Sequence, residues 1–600
     1  MRVPPLGHTG RMGAPRQLSS SLQLELFGPP SRRRAAPRAA PPRPHLRAHR
    51  YLEGDASSIR VGNEWLEDLL VSRECGWVIE LSDWLRLRLL EQCHDSARQF
   101  PQEILRCEAR GARPLSPVAV ISAIFVGTIL GINSLRELER AAAVDLRFIW
   151  ILGGMAPDHS TFGRWILRMQ GAVSEQLFEA LTVEALRAVH KVVRDASLDG
   201  TTIQAATSRY GRLCAQAVQQ QLEQARAELE REPADEDAAE QLAKAQARAQ
   251  ALATRQQARR DNRSDPSTVT VCPSDPEAVV HKLKEGNFAP AVVASVIATE
   301  DRFVVAAHVH PSDEIASVAP MLQQAEHLAV AVNVGAGACT AREPTVACAR
   351  VGVAYQRSPC SPGARVTLPT GRAWSRDGAQ CASCPGRATL GGAGLSALRM
   401  DGNYLTGSVL RLEQEHGVEL HIAPGSWAGS GYRPQGFDPE DRRAFEKARF
   451  RLVTLPANDY APERTCMQCP MGALLPYFAR ERSRPNDPAH DVYRAGTVRC
   501  GECPYKSRCA PTNPRRRVAR YGDDELKERM RDRHAGASRR EQSGQRARSV
   551  EPVFSVVKGV QRLRRFRRRG LRKAQLEWHL HLIAHNLRRM MSLRGWLGGT

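Results

Sequence analysis

Two apolar stretches of this chain each run into an Asp-Gly pair: ASLDGTT, with Asp199, and ALRMDGNY, with Asp401. Each reads as a strand ending in an acidic residue at a glycine turn. Between them lie two further strand-like runs, PAVVASVIAT (290–299) and FVVAAHVH (303–310), joined by the polar turn TEDR, and then a helix at about 313–327. The second Asp-Gly pair is followed by a helical run, GSVLRLEQEHG, and by one more strand, VELHIAP. Strands interspersed with helices predict an α/β fold. Such a fold constrains the two aspartates, because strand ends and a helix can bring together side chains that are far apart in sequence.

The flanking regions read differently. Residues 1–55 are rich in Pro, Arg, Ala and Ser, with too little apolar surface to offset chain entropy, and are expected to be disordered. Residues 60–190 carry apolar residues three and four apart, which predicts an N-terminal all-α domain. LSDWLRLRLLEQC and the apolar SPVAVISAIFVGTIL are its clearest helices, with Pro114 and Pro117 at their join. Ser134 fits an N-cap with Glu137 three residues on, and Asp158 or Ser160 caps the helix of STFGRWILRM. These short helices suit a helix-turn-helix-like DNA-binding module or a plain helical bundle. Residues 211–262 predict a helical hairpin broken at Pro233, with Leu213, Leu222 and Leu229 on one face. Residues 330–396 have no sustained period, residues 460–515 read as an irregular Cys-rich insert, and a basic helical region begins near 523.

Charge narrows the partners. Lys and Arg number 86 against 64 Asp and Glu, a net +22, which points to a polyanion, nucleic acid before membrane, although a GC-rich genome also enriches arginine. No apolar run reaches the 18 or so residues of a membrane span, and the N-terminus lacks a compact signal core. Fifteen cysteines, several in CxxC pairs, then suggest metal binding in a reducing cytoplasm rather than disulfides.

Cleaving and rejoining DNA phosphodiesters uses two divalent cations held by carboxylates, and Mg2+ prefers oxygen ligands and keeps several waters. Asp199, Asp401 and Glu551 are the candidates, the last opening the helical run EPVFSVVKGVQRL, with Lys558 two turns further on nearly the same face. Any one of these acids alone is more often an ordinary surface carboxylate; the joint arrangement carries the argument. Cys466-x-x-Cys469, Cys500-x-x-Cys503 and Cys509 suit a tetrahedral structural zinc, with either Cys466 or Cys509 completing the set. Cys381-x-x-Cys384 reads as incidental, and no His context supports a catalytic cysteine or an HExxH site. QRLRRFRRRGLRK (561–573) holds eight Arg or Lys in thirteen positions, including Arg564, Arg565, Arg567 and Arg568, a density suited to DNA phosphates.

At these residues the chain resembles the DDE-type insertion-sequence transposases over most of residues 80–600. LSPVAVISAIFVGTILGINSLRELERAAAVDLRFIWILGGMAPDHSTFGRW resembles the family's N-terminal helical transposase domain, with Ser134–Arg136, Trp150 and Asp158–His159–Ser160–Thr161 where that domain carries similar residues. SLDGTTIQAATS resembles the strand with the first catalytic Asp, MDGNYLTGSVLRLEQEHGVELHIAP the block with the second, and RSVEPVFSVVKGVQRL the segment with the Glu and its following Lys. Asn586–Leu587 match the closing helix, and CPMGALL and CGECPYKSRC resemble a Cys cluster of related transposases. The resemblance implies an RNase H-like mixed sheet flanked by helices, within residues 191–600. It further implies Mg2+ or Mn2+ at Asp199, Asp401 and Glu551, with Lys558, Arg546 and Arg548 on phosphates. The partner implied is double-stranded DNA, at terminal inverted repeats and at the target, with a homodimer in the synaptic complex on the bacterial nucleoid. The chain departs from the family at 330–396, usually a short link, where ACTAREPTVACARVGVAY looks like a damaged second copy of the Asp block with Gly335 in place of an Asp. Gly544 and Ala547 also stand where the family has Tyr and Arg. An inactive DNA-binding relic and a nuclease without strand transfer are the alternative readings.

Overall fold

The computed structural model describes Leu52 and residues 54–94, 115–261, 264–283, 286–334, 394–422, 438–440, 444–457, 462–482, 488–534 and 538–597. The Arg/Pro-rich start, Pro114, Gly335, the Cys381–Cys384 pair and nearly all of 330–396 lie outside those residues. The described residues form two compact units, one from those within 1–127, 132–168 and 594–600, the other from those within 128–131 and 169–593.

The first unit opens with a small hairpin, β1 (Arg60–Val61) and β2 (Glu64–Trp65), which the all-helical expectation did not include. Helices follow: α1 (Leu66–Ser72), α2 (Trp77–His94), α3 (Pro117–Ile129), α4 (Leu135–Val144), α5 (Leu146–Leu152) and α6 (His159–Arg168). Pro117 begins α3, where its missing N–H costs nothing, and the apolar run that follows is a buried helix, as read. Asp145 caps α5 through the Arg147 N–H at 2.9 Å, and Asp158, rather than Ser160, caps α6 through the Thr161 N–H at 2.7 Å. Ser134 precedes α4 in extended backbone but its side chain makes no capping bond. Gly153 ends α5 with φ +62, and a Cβ there would stand 2.4 Å from the Gly54 carbonyl carbon, so two backbone segments touch where only glycine fits.

The second unit begins with α7 (Ala172–Ala188) and β3 (Asp195–Gln204). The expected hairpin follows as α8 (Ala215–Arg231) and α9 (Glu236–Asp261), with Leu222, Ala225 and Ala245 in one buried cluster and Val218 and Leu252 in another. Leu213 packs on the second cluster, while Leu229 stays partly exposed. Next come β4 (Val279–Lys282), β5 (Phe288–Thr299), β6 (Val304–His310), α10 (Val318–Val334), β7 (Ala397–Met400), α11 (Gly407–His416) and β8 (Glu419–Ile422). These strands make one mixed sheet in the order β8-β7-β3-β5, with β4 and β6 on different stretches of β5. β3 and β6 run antiparallel to β5, whereas β7 runs parallel to both β3 and β8. Every residue of β5 after Phe288 is buried, which explains its continuous apolar sequence.

Asp199 does not end its strand. The β-branched Thr201, Thr202 and Ile203 carry β3 on to Gln204, paired with β5 throughout, so the aspartate lies mid-strand, just beyond the last residue paired to β7.

Beyond β8 the stretch expected to be irregular is instead a second sheet. β9 (Arg451–Leu455), β10 (Arg464–Gln468), β11 (Leu474–Glu481), β12 (His490–Arg494) and β13 (Arg517–Tyr521) form an antiparallel meander over Phe450, Met467, Leu475, Tyr493, Ala495 and Val518. Most of its strand residues are half-buried or exposed rather than buried, so little apolar alternation marks them in the sequence.

The C-terminal region holds α12 (Asp524–Arg533), α13 (Ser538–Ser555), a wide π-type turn at Val556–Val560 and α14 (Leu571–Leu593). Glu551 sits inside α13 rather than at its start. The basic run 561–570 is a loop rather than a helix, entered through Arg562 in the left-handed region and tied to the end of β3. Trp578 of α14 donates to the Ser295 carbonyl at 3.3 Å. Asn586 bonds both the N–H and the carbonyl of Val304, each at 2.8 Å, and donates to Thr182 at 2.9 Å, fastening α14 to β6 and α7.

Candidate active site on the central sheet

Parallel pairing of β3 with β7 sets Asp195 opposite Ala397, Ala196 opposite Leu398 and Ser197 opposite Arg399. The same register, continued past the last pair, sets Asp199 beside Asp401, with neighbouring strands about 4.8 Å apart. The two Asp-Gly motifs therefore meet at one place on the sheet.

Asp401 caps the turn that begins there, its Oδ1 accepting the Asn403 N–H at 2.7 Å. Asp199 Oδ1 accepts the N–H of Gly200 at 2.9 Å, and its Oδ2 pairs with Arg546 Nη1 of α13 at 2.6 Å. Burial pushes the Asp199 carboxyl above the usual carboxylate range, against the pull of Arg546, and the neighbouring Asp401 adds to the rise. Lys558, in the wide turn, donates to Thr201 Oγ1 at 2.5 Å and to the Thr202 carbonyl at 3.1 Å. Arg546 and Lys558 thus tie the two ends of the Glu551-bearing segment to the Asp199 strand.

A third carboxylate stands with the pair. Glu314, just before α10, accepts from the Tyr404 hydroxyl at 3.4 Å, and a Cβ on Gly200 would lie 2.9 Å from its Oε1. Burial raises the Glu314 carboxyl, and the charges of Asp199 and Asp401 raise it further. Burial likewise pushes the Tyr404 hydroxyl up, so it remains a donor. Glu314, Tyr404, Asn403, Thr202 and His281 line a cavity of about 270 Å³ beside them.

Among the other sequence candidates, Glu551 and Arg548 are exposed on α13. Arg564, Arg565 and Arg567 are exposed on the basic loop, Arg565 also donating to the carbonyls of Ala205 and Thr207 at 3.0 and 2.8 Å. Arg568 is turned toward buried Glu577, 3.8 Å away. Sequence reasoning missed Glu314: in PSDEIASV it looks like an ordinary acid at a helix start, and its partners are remote in the chain.

The cysteines divide. Cys466 is buried within β10, between Val453 and Pro476 of the flanking strands. Cys469, Cys500 and Cys509 pack against the small core of the second sheet. Burial pushes the Cys509 thiol up to about 11, against Arg516, and the thiols of Cys500, Cys469 and Cys503 add to the rise. Burial holds the Cys469 thiol above its usual range, against the pull of the Ala473 N–H, which donates to its Sγ at 3.2 Å. In kind these donors fit zinc. Asp199 and Asp401 fit Mg2+, which takes one or two carboxylates and keeps several waters. Among the described residues, no group of three or more His, Cys, Asp or Glu side chains is arranged to hold an ion directly.

Residues 468–591 match the family model of the transposase DDE domain, and residues 79–168 match that of a transposase domain (DUF772). The first match spans Glu551, Lys558 and the cysteines from 469 to 509; the second spans α3 to α6. No curated protein matches the chain. Among the described residues, no helix is long and apolar enough to cross a membrane.

Proposed function

The chain is by family a DDE-type insertion-sequence transposase, and from that premise we propose that it binds the terminal inverted repeats of its own element, cleaves there and joins the freed ends to target DNA. The observation that carries this reading is the register of β3 and β7, which sets Asp199 beside Asp401. The order and directions of the strands, β6-β5-β3-β7-β8 with the first two pairings antiparallel and the last two parallel, support an RNase H-like core.

Asp199 and Asp401, with Glu551 from α13, would hold Mg2+ or Mn2+. The bound ions supply activation of the attacking oxygen and stabilisation of the leaving one. Arg546 pairs with Asp199; with a cation in its place on that carboxylate, its guanidinium would be free to pair with a backbone phosphate. Lys558 keeps the Glu551 segment against β3. Arg548 and the exposed arginines of the 561–570 loop grip the DNA backbone, a contact that positions the duplex without reading its sequence. The helices of the first unit supply a second DNA contact. Cys469, Cys500, Cys503 and Cys509 would hold a structural zinc that staples the second sheet, leaving Cys466 in its strand. Joining two element ends calls for a homodimer, acting on the bacterial nucleoid.

The test is strand transfer by the purified chain on linear DNA carrying the element's terminal repeats, with Mn2+, beside Asp401→Ala. Joined products that vanish in the variant are the expected result. End binding without cleavage by the wild type makes the chain a relic, and cleavage without joining makes it a nuclease.

A further inference from the structure

We propose that Glu314 is a third functional carboxylate of this site, one that steadies a divalent cation held by Asp199 and Asp401 by bonding to the cation's water shell. The inference rests on the metal-dependent reading above and adds a residue to it.

Three features converge on the spot. Gly200 follows Asp199 on the central strand, and a Cβ there would stand 2.9 Å from Glu314 Oε1 and 3.1 Å from Ser295 Oγ. The missing side chain is what admits a carboxylate next to Asp199. Ser295, opposite Gly200 on β5, is fully buried, and its hydroxyl, aimed at the same point, has no hydrogen-bond partner among the described residues. An unmatched buried hydroxyl is costly, so this lining is polar where packing alone would favour an apolar side chain. Tyr404, 1 % exposed, bonds Glu314 from the turn that Asp401 itself caps, so one turn delivers an aspartate and fixes the glutamate. Arg546 already places a positive charge against Asp199.

Because no three acidic side chains here are set to grip one ion directly, Glu314 acts at one remove. Mg2+ and Mn2+ retain waters, and a carboxylate bonded to those waters orients them and adds to affinity. Glu314 is in this sense a positioning residue.

The experiment is calorimetric titration of the full, DNA-free chain with Mn2+ for wild type, Glu314→Gln, Glu314→Asp and Tyr404→Phe, alongside strand transfer. Glu314→Gln is expected to weaken Mn2+ about 10- to 100-fold, the range for lost outer-shell partners, at an unchanged melting temperature. Glu314→Asp should restore part of the affinity, and Tyr404→Phe should show a smaller loss of the same sign. Should Glu314→Gln fail to fold, Tyr404→Phe, which removes one hydroxyl, decides the question. A wild type that binds Mn2+ while Glu314→Gln, or in its place Tyr404→Phe, binds it equally well overturns the role of Glu314 and leaves the metal-dependent reading standing. A wild type that takes up no Mn2+ and joins no ends overturns both.

Discussion

The two sheets of the second unit are built on opposite principles. In the central sheet β5 is buried along eleven consecutive residues, α14 covers it with Trp578, and the polar groups collect where β3 outruns β7. In the meander most strand residues are half-buried or exposed, and the core is six buried residues with partly buried thiols packed against them. A core that small does not hold a sheet by apolar area alone; small folds of this kind depend on staples such as metals or cross-links. Where stability comes from apolar burial, the sheet can carry a cluster of carboxylates. Where it does not, the reactive side chains, here the thiols, are recruited to the structure itself.

Breaking the chemistry of the central sheet should have the largest effect. On the proposed function Asp199 would be a ligand of a metal clamp worth several kcal/mol, so in Asp199→Ala strand transfer should fall by about 10³-fold while folding is retained. Cys466→Ala, a change of similar size inside the meander, should leave strand transfer close to wild type; equal losses in the two would erase the distinction between the sheets.

Core truncation sharpens the contrast next. Leu198→Ala, beside Asp199 and fully buried, should cost about 2–5 kcal/mol in urea unfolding of the second unit. Chelation should act on the other sheet. Treatment with a strong zinc chelator, or Cys500→Ser, should speed amide hydrogen exchange in β10–β12 and leave β3–β5 protected. Loss of protection in both sheets together would mean that they unfold as one.

The smallest expected effect is a pH dependence of the central core. Burial pushes His579 and His581 down to about 3 and His585 down to about 4. An unfolded histidine takes its proton near 6.5, whereas these do so only far lower. Their contribution is therefore complete above about 6.5 and is lost as the pH falls toward 4 and then 3. Between pH 7 and 6 this amounts to on the order of 0.5 kcal/mol for each histidine, readable as a falling melting temperature. A melting temperature flat from 7 to 4 would contradict it.

What could be read from the sequence followed the same division. β5 and β6 fall within a few residues of the runs VVASVIAT and VVAAHVH, and β7 leads directly to Asp401, because long burial leaves long apolar runs. The extension of β3 past Asp199 was missed because a Gly inside a strand reads as a turn; here its pairing with β5 carries the strand through. The meander was illegible because exposed strands such as LLPYFARE lack alternation. Glu314 was illegible for another reason: its significance lies in Gly200 and Tyr404, whose distance from it in sequence conceals the contact.

The bridge between Gln204 and the basic loop has one more consequence. Gln204 donates to the Arg564 carbonyl at 3.3 Å and accepts from the Phe566 N–H at 2.8 Å. The arginine-bearing loop is therefore pinned to the same rigid strand as Asp199. At about 3.3 Å per residue, the pin and the aspartate are about 17 Å apart, roughly five base steps along DNA. Under the proposed function such a strand would serve as a ruler: phosphates gripped at one end would determine which phosphate lies at the other.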